Sequence, residues 1–586
     1  MKVYIDFEGQ HKCFSNPIKI FKSTNIESIK QQLDEIEKLV HQGYYAVGYL
    51  AYECASAFTP SNKTQSLDQQ NTDLPLLLFG IFNNFTLTDV PNTNNFVPKP
   101  SDLNYDTSLE EYHKKIDYIR SQIELGNTYQ TNYTIRINAS FNENPIDYYF
   151  FLQKNNQANY CAYLEYNDNY ILSISPELFF KIDNSTITTK PMKGTVARGL
   201  TTQQDQEQLK RLLSEKNLAE NMMIVDLLRN DLSRISKSGS VTVPKLFTTE
   251  KYPTLWQLTS TIEGQLQKDV SLYQIFQALF PCGSITGAPK TSTMQIISDI
   301  ENSPRGVYCG TIGYIQPFME KALFNIPIRT LTINNQQMSY GVGGGITWDS
   351  TSQDEYNEIL TKAAILNRKL PIPEYIIESL LLEDGQFFLF DAHLTRLADS
   401  ANYFSFVCDI QTIKLNLIEL ANSLPKLRYK IRISLPKDGK YNISFSAIIE
   451  PFKISELAFA PNCVNSNNVY LYHKTSIREH FPQLTEGKEC INFNQNDEIT
   501  EFVNGNIALF INHQWVTPKI SSGLLSGTMR QFYLSHRQLL EKTITKADIL
   551  KAEKIAFINS VRKWIDIDMQ VLNRFKQQLQ DSTNKS

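Results

Sequence analysis

Residues 191–199 read Pro-Met-Lys-Gly-Thr-Val-Ala-Arg-Gly, just after a strand-like run from Thr186 to Thr189. That setting places Lys193 at a strand end with its stem packed. Packing and desolvation lower the pKa of an amine and make it a nucleophile; the plainer reading is a surface lysine beside a turn. A helical stretch follows, from about Gln204 to Ile235, in which Glu220, Asp226, Arg229 and Asp231 stand among apolar residues. Buried carboxylates on such a helix must be paired, hydrogen-bonded or metal-bound. Asp226 and Arg229, three apart, can pair on one face. Glu220 has only Lys216 as a local basic partner, which makes it a ligand candidate, with a solvated pair to Lys216 as the alternative.

Further along, Gly343-Gly344-Gly345 precedes Asp349, Glu355 and Glu358, the last two at the start of a helix running from about Gln353 to Lys369. Glu355 and Glu358 share a helix face and could approach one hard cation, or could simply decorate a helix N-terminus. The glycines permit close backbone approach to a ligand. Gly283-Ser284-Ile285-Thr286-Gly287-Ala288-Pro289-Lys290 leads into another helix, and small residues before a helix start can bind an anion.

The chain of 586 residues is too long for one ordinary core, so two domains are expected. With 41% hydrophobic and 20% charged residues the composition is that of a globular protein. A net charge of -4 gives no reason to expect nucleic acid or an anionic membrane as partner. Eight scattered cysteines without a CxxC pair argue against a disulfide framework or zinc site and for a reducing cytoplasm. The opening MKVYIDFEG alternates like a strand and lacks the apolar core of a leader, and no run is long enough to span a bilayer. Polar stretches at Ser61 to Asp73 and Pro91 to Ser101 read as surface loops. Pro371 and Pro373 stop a helix and favour an extended connector. The expected division is therefore 1–369, a linker at 370–373, and 374–586. The second part opens with a strand pair, Tyr375 to Leu382 and Phe387 to Phe390, around a turn at Asp384-Gly385.

Taken in order, PMKGTVARG, AENMMIVDLLRND, FPCGSITGAPKTSTM, PRGVYCGTIGYI, FNIPIRTL and GVGGGITWDSTSQDEYNEILTKA resemble the chorismate-utilising enzymes from about Leu109 to Asn367. The resemblance implies an α+β fold of packed antiparallel sheets with flanking helices, binding chorismate and Mg²⁺ in a central cleft. It implies metal contact from Glu220 and Glu358 with Glu355 nearby. It also implies that Tyr308, Arg329, Gly345 and the Gly287-Ala288 backbone hold the substrate's carboxylates, with Thr195 near the ring. A guanidinium fork suits a carboxylate. Within the family, anthranilate synthases carry alanine where this chain has Lys193, whereas aminodeoxychorismate synthases carry lysine, which attacks C2 of chorismate. Gln130 stands where isochorismate and salicylate synthases have a lysine resembling a water-activating base, so ammonia is the expected nucleophile. Glu177, in Ser175-Pro176-Glu177-Leu178, matches the general acid for the departing hydroxyl; a salt-bridged loop glutamate is the alternative. Cys282 departs from the pattern. No cysteine sits in a Gly-x-Cys-x-Gly elbow, so ammonia is expected from a separate glutamine amidotransferase subunit.

In the second part, Leu471-Tyr472-His473-Lys474-Thr475 places a lysine at the end of a strand-like run, Asn468 to Tyr472. Asp391-Ala392-His393-Leu394-Thr395-Arg396 comes before it; Thr500-Glu501, Asn504-Gly505-Asn506, Ser526-Gly527-Thr528 and Asn559-Ser560 come after. This order resembles the fold-type IV pyridoxal-phosphate enzymes over about Tyr375 to Ile567. The resemblance implies that Lys474 carries the cofactor, that Glu501 faces the pyridine nitrogen, and that Asn506 lies close by. Arg396, the Gly527-Thr528 amides and Ser560 would bind the phosphate, Asn559 would also contact the cofactor, and a homodimer could form through this domain. Phe481 replaces a common tyrosine. Together the halves would turn chorismate into 4-aminobenzoate, a folate precursor; an anthranilate synthase in front or an amino-acid aminotransferase behind are the alternatives.

Overall fold

The computed structural model describes residues 1–67, 74–88, 101–449 and 452–583; the expected loop at 91–101 lies outside these except for Ser101, which opens a strand, and so does part of that at 61–73. The chain forms two compact units, Met1–Ala197 with Gln208–Leu370, and Pro371–Ser586 together with the excursion Arg198–Glu207.

The first unit is α+β and built on two antiparallel sheets. The opening strand Lys2–Phe7 alternates inward Val3, Ile5 and Phe7 with half-buried residues, as its two-residue period demands. In its sheet the order runs from Gly287–Ala288 through Gln130–Ser140, Gln337–Ile346, Thr330–Asn334, Asn169–Ser175 and Tyr160–Tyr166 to Lys2–Phe7 and Gln10–Ser15. The other sheet runs from Met192–Ala197 through Leu255–Gln265, Thr186–Lys190, Leu178–Asp183, Lys321–Asn325 and Thr311–Ile315 to Tyr45–Leu50 and Leu77–Phe82. One core joins the inner residues of the second sheet to helices such as Ile29–His41, whose Ile29, Leu33, Ile36 and Val40 form a stripe at helical spacing.

The stretch expected to form one helix from Gln204 to Ile235 is two, Thr202–Leu212 and Glu215–Ser233. Ser214 adopts extended backbone between them, and the Asn217 amide donates to Leu212 O at 2.9 Å, closing the first helix's end. The second helix buries Asn221, Ile224, Val225, Leu228 and Leu232, leaving Glu220 at the border of that face. Asp226 and Arg229 do pair, at 3.0 Å on the exposed side, while the largely buried Asp231 holds Lys290 at 3.0 Å and ties the helix to the GSITGAPK segment. The last helix, Ser352–Ala363, ends in a short 3-10 turn, Ala364–Leu366.

In the second unit a four-stranded antiparallel sheet runs Gln386–Phe387, Ile376–Glu383, Arg428–Leu435, Asn442–Ala447. Its inner face packs on helices Phe390–Phe404 and Ile410–Ser423. The second strand of the expected opening pair is only two residues long. Leu389 turns left-handed at φ 52° and the helix begins at Phe390, so Phe387 to Phe390 is mostly not strand. A three-stranded and a five-stranded sheet complete the unit around a second core that includes Ile507, Leu509, Ile555 and Leu572. No helix among the described residues is long and apolar enough to cross a membrane.

Candidate active sites

In the first unit the lysine does not end its strand. Met192 pairs with Thr259 and Thr195 with Gln257, so the Lys193 strand carries one residue more than its partner across this step. A bulge of this kind re-aims a side chain, and Gly194 supplies the left-handed turn at φ 90° that it requires. The amine reaches the Gly345 backbone on the opposite sheet. A Cβ added to Gly345 would stand 2.9 Å from Lys193 Nζ and 2.2 Å from Gln130 Nε2. Only glycine leaves room there, and the ladder explains the meeting: Gly345 pairs with Asn132, and Ala288 pairs with Gln130 on the same long strand.

Burial lowers the Lys193 pKa and favours the free amine, against the pull of Glu220, Glu177 and Glu358 and with the help of Lys362. Glu177 is 4% exposed. Burial pushes its carboxyl up to about 7, although the Ser284 hydroxyl and Lys193 oppose the rise. Its Oε1 is buried without a hydrogen-bond partner among the described residues. The site thus juxtaposes a desolvated amine and a carboxyl able to hold a proton at neutral pH.

The acids expected to bind metal gather nearby. Glu355 Oε2 and Glu358 Oε1 lie 3.2 and 3.8 Å from where a Cβ on Gly344 would stand. Burial raises the Glu355 pKa, and the like charges of Glu358 and Glu220 add to the rise. The Ser350 hydroxyl donates to Glu355 at 2.6 Å. Lys362 sits 2.6 Å from Glu358 and donates to Gly343 O at 2.7 Å. No closed cluster of three ligands is present among the described residues. The donor set is nonetheless oxygen only and crowded with like charge, which suits a hard divalent cation that keeps several waters.

The expected substrate holders are spread along this ladder. Gly287-Ala288 is a two-residue strand rather than a helix N-terminus, since the helix begins later at Lys290. Tyr308 packs on Gly341, under the Arg136 guanidinium at 5.3 Å from its ring. Arg329 is turned left-handed at φ 51°; it has no ion-pair partner among the described residues, and its nearest electrostatic neighbours are Tyr340, Tyr252 and Cys161. Arg368, which the sequence analysis did not single out, is a second guanidinium close by: its Nη1 donates to Thr254 Oγ1 at 3.1 Å, and burial, then the proximity of Arg329, lowers its pKa. Thr195 is exposed, with its backbone in the ladder.

In the second unit Lys474 does not follow a strand. Asn468 accepts the Tyr470 N–H and folds Val469–Leu471 into a 3-10 turn. Lys474 is then fixed by its carbonyl, which accepts the Ile377 N–H at 2.8 Å. It lines a cavity of about 360 Å³ together with Arg396, Glu501, Asn506, Thr528 and Ser560, within the range of small-molecule sites. Burial lowers the Lys474 pKa to about 8, helped by Arg396. Glu501 is pushed up to about 8 by burial, although its Oε1 accepts the Leu525 N–H at 3.1 Å. Asn506 donates to the other oxygen at 3.1 Å.

Arg396 is positioned by a residue that the sequence reading passed over. Glu378, the buried carboxylate of the strand Ile376–Glu383, accepts from Arg396 Nε at 2.7 Å and Nη2 at 2.9 Å. His393 bridges the same carboxylate, at 2.7 Å, to the Thr528 hydroxyl, at 3.2 Å. Burial alone would raise the Glu378 carboxyl, but Arg396 and His393 hold it well below the usual range. Gly527 caps the helix Thr528–Ser535, so free amides and a clamped guanidinium converge as an anion cradle. Asn559 uses its side chain on backbone, accepting from Arg562 N–H at 2.7 Å and donating to Asn504 O at 3.0 Å, which shapes the loop beside Ser560. A buried lysine, a carboxyl facing the same cavity and an anion cradle together fit pyridoxal phosphate.

Glu378→Gln should therefore weaken pyridoxal phosphate binding about tenfold or more and cost roughly 3 kcal/mol in stability, the usual penalty for breaking a buried pair. Equilibrium dialysis and thermal unfolding measure both; unchanged cofactor affinity would show that Arg396 needs no clamp.

The two units define a chorismate-binding fold followed by a class IV amino-transferase fold. The family model described as chorismate binding enzyme matches residues 3–368, and that for amino-transferase class IV matches residues 375–568. The chain belongs to the chorismate-binding enzymes. Its similar relatives include aminodeoxychorismate synthase component 1 of Escherichia coli (strain K12), 40% identical over 271 residues, covering 46% of this chain and 60% of the relative. The chloroplastic aminodeoxychorismate synthase of Arabidopsis thaliana is 36% identical over 364 residues, covering 60% of this chain and 37% of the relative. The chain thus spans less than two thirds of the length of these relatives. Among solved structures, anthranilate synthase component I from Streptococcus pneumoniae TIGR4 superposes with a TM-score of 0.55 at 25% identity, over 63% of this chain and 92% of that one.

Proposed function

We propose that the chain makes 4-aminobenzoate from chorismate in two steps, amination at C4 in the first unit and release of pyruvate in the second. The observation that carries the reading is the bulge that brings the Lys193 amine against Gly345 beside the Gln130 amide, with the raised Glu177 carboxyl at hand. Similarity to proteins named aminodeoxychorismate synthase supports it.

In the first step Lys193 Nζ adds to C2 of chorismate as the C4–O bond breaks, and Glu177 delivers its proton so that the hydroxyl leaves as water. Ammonia then adds at C4, the C2–N bond breaks, and Lys193 leaves as the free amine. Arg329, Tyr308, Gly345 and the Gly287-Ala288 backbone would hold the substrate's carboxylates, and Thr195 would lie near the ring. Glu220, Glu355 and Glu358 would hold Mg²⁺, which neutralises carboxylate charge. All eight cysteines are free and six are buried, and none stands in a nucleophile elbow, so ammonia would come from a separate glutamine amidotransferase subunit.

In the second step pyridoxal phosphate supplies an electron sink when bound. Glu501 would face its ring nitrogen and Arg396, Thr528 and Ser560 its phosphate. Lys474 removes the C4 proton of the aminated product, the C3–O bond breaks, and the departing enolpyruvate takes up a proton as pyruvate. The ring becomes aromatic, which drives the step.

Incubating the chain with chorismate, Mg²⁺, pyridoxal phosphate and an ammonium salt, with mass detection of products, tests the whole reading. 4-Aminobenzoate with pyruvate supports it; anthranilate would refute the role of Lys193, and accumulated 4-amino-4-deoxychorismate would refute that of the second unit.

Glu177 gives a pH prediction with a definite sign. Its proton is needed for departure of the hydroxyl, so amination should fall as pH rises through about 7. Because the folded pKa, about 7, lies above the ordinary value of 4.5, stability is lost as pH rises between the two, by roughly 3 kcal/mol in all, and nothing is lost near pH 4. Glu177→Gln should slow amination at least ~100-fold and raise the melting temperature much more at pH 8 than at pH 5. Equal melting shifts at both pH values would refute a raised carboxyl.

A further inference from the structure

The cavity of the second unit is ringed by more positive charge than one phosphate requires. Besides Lys474 and the Arg396 clamped by Glu378, its lining includes Lys430, Arg432, Arg478 and Arg562, while Glu501 is the only carboxylate among the described lining residues. Lys430 and Arg432 alternate along the strand Arg428–Leu435, on the face opposite the buried Tyr429, Ile431 and Ile433. Arg432 pairs across the ladder with Ser379, which lines the same cavity. Neither Lys430 nor Arg432 forms an ion pair with any described residue. Arg478 is anchored by donating to Val503 O at 2.7 Å, and the Arg562 guanidinium lies 5.5 Å from the Phe452 ring on the same wall. Lys430 and Arg432 are both exposed to solvent at this wall, and partial desolvation of the Lys430 amine, with the proximity of Arg432 and Arg562, lowers its pKa. Like charges gathered at a cavity mouth repel one another unless an anion joins them. A receptor for an amino acid with a single carboxylate would need one such cation beyond the phosphate cradle.

We propose that Lys430, Arg432, Arg478 and Arg562 form a receptor for two carboxylates, so that the second unit takes cyclic amines bearing two carboxylates in preference to monocarboxylate amino acids. The proposal rests on the elimination step proposed above and names the residues that select its substrate. Two carboxylates held apart on a ring match cations spread over two walls, and the strand places Lys430 and Arg432 about two residues' rise from each other. These are specificity residues: they reach the substrate's anionic groups and leave the proton transfer at Lys474 alone.

The test uses the full-length protein loaded with pyridoxal phosphate. In wild type, isophthalate, a ring dicarboxylate without an amine, should perturb the cofactor absorbance band at a concentration at least tenfold lower than benzoate. Arg432→Gln and Lys430→Met should each erase that preference and raise KM for 4-amino-4-deoxychorismate at least tenfold, with a smaller change in kcat, whereas Lys430→Arg should retain it. Cofactor content and melting temperature identify variants that fail to fold, in which case Lys430→Arg against Lys430→Gln decides. Equal sensitivity of wild type to isophthalate and benzoate, or variants with unchanged KM and preference, would overturn the receptor. The band shift needs no turnover. A wild type that prefers isophthalate yet releases no 4-aminobenzoate would therefore support the receptor while refuting the elimination step.

Discussion

Lys193→Ala is expected to lower chorismate amination by about 10⁴-fold or more, the scale of losing a covalent nucleophile. The reason is geometric as well as chemical. Gln130 and Gly345 leave one amine in reach of the site, and no other lysine described near it is free to replace Lys193, since Lys362 is engaged by Glu358 and the Gly343 carbonyl. The fold should survive, because the substitution removes an amine whose charge burial already disfavours. The variant should melt at or above the wild-type temperature and still convert supplied 4-amino-4-deoxychorismate to 4-aminobenzoate. Single-turnover assays with ammonium and mass detection measure the loss. Amination within tenfold of wild type would mean that ammonia adds directly to chorismate and that Lys193 only lines the pocket.

The second large effect is expected at Lys474. Lys474→Ala should abolish pyruvate release, by at least ~10⁴-fold, and leave amination untouched, so that 4-amino-4-deoxychorismate accumulates. With its pKa lowered to about 8 by burial, Lys474 holds an appreciable share of free amine at neutral pH, ready to join the cofactor. The variant should also lose the absorbance band that a lysine-bound cofactor gives, while pyridoxal phosphate still sits in the cradle of Arg396 and Thr528. Retained elimination would assign the proton transfer to another group; a lost band together with lost amination would instead point to general misfolding.

Much of this was legible in the residues. The alternation of MKVYIDF fixed its inward face, and the three-residue spacing of Asp226 and Arg229 fixed their pairing, because both depend on local geometry alone. The motif order pointed to the family and to an α+β fold with antiparallel sheets. Local reading failed where backbone partners outside the segment, or one capping side chain, decide the form. Asn468 turns an apparent strand into a 3-10 turn before Lys474, Leu389 ends the strand expected from Phe387 to Phe390, and Ser214 divides a single helical pattern.

The sequence by itself singled out the residues proposed to react or bind: Lys193, Glu177, Lys474, Glu501 and the acids at 220, 355 and 358. A motif is a local arrangement, and chemistry of this kind depends on residue type. Only the tertiary structure decided what each group faces. The bulge that aims Lys193 across to Gly345, the Glu378 carboxylate under Arg396, the second guanidinium of Arg368 and the cations around the Lys474 cavity join residues distant in the chain. Their pairing follows from strand register and packing, and burial then sets their charge by how much water and how many opposite charges remain.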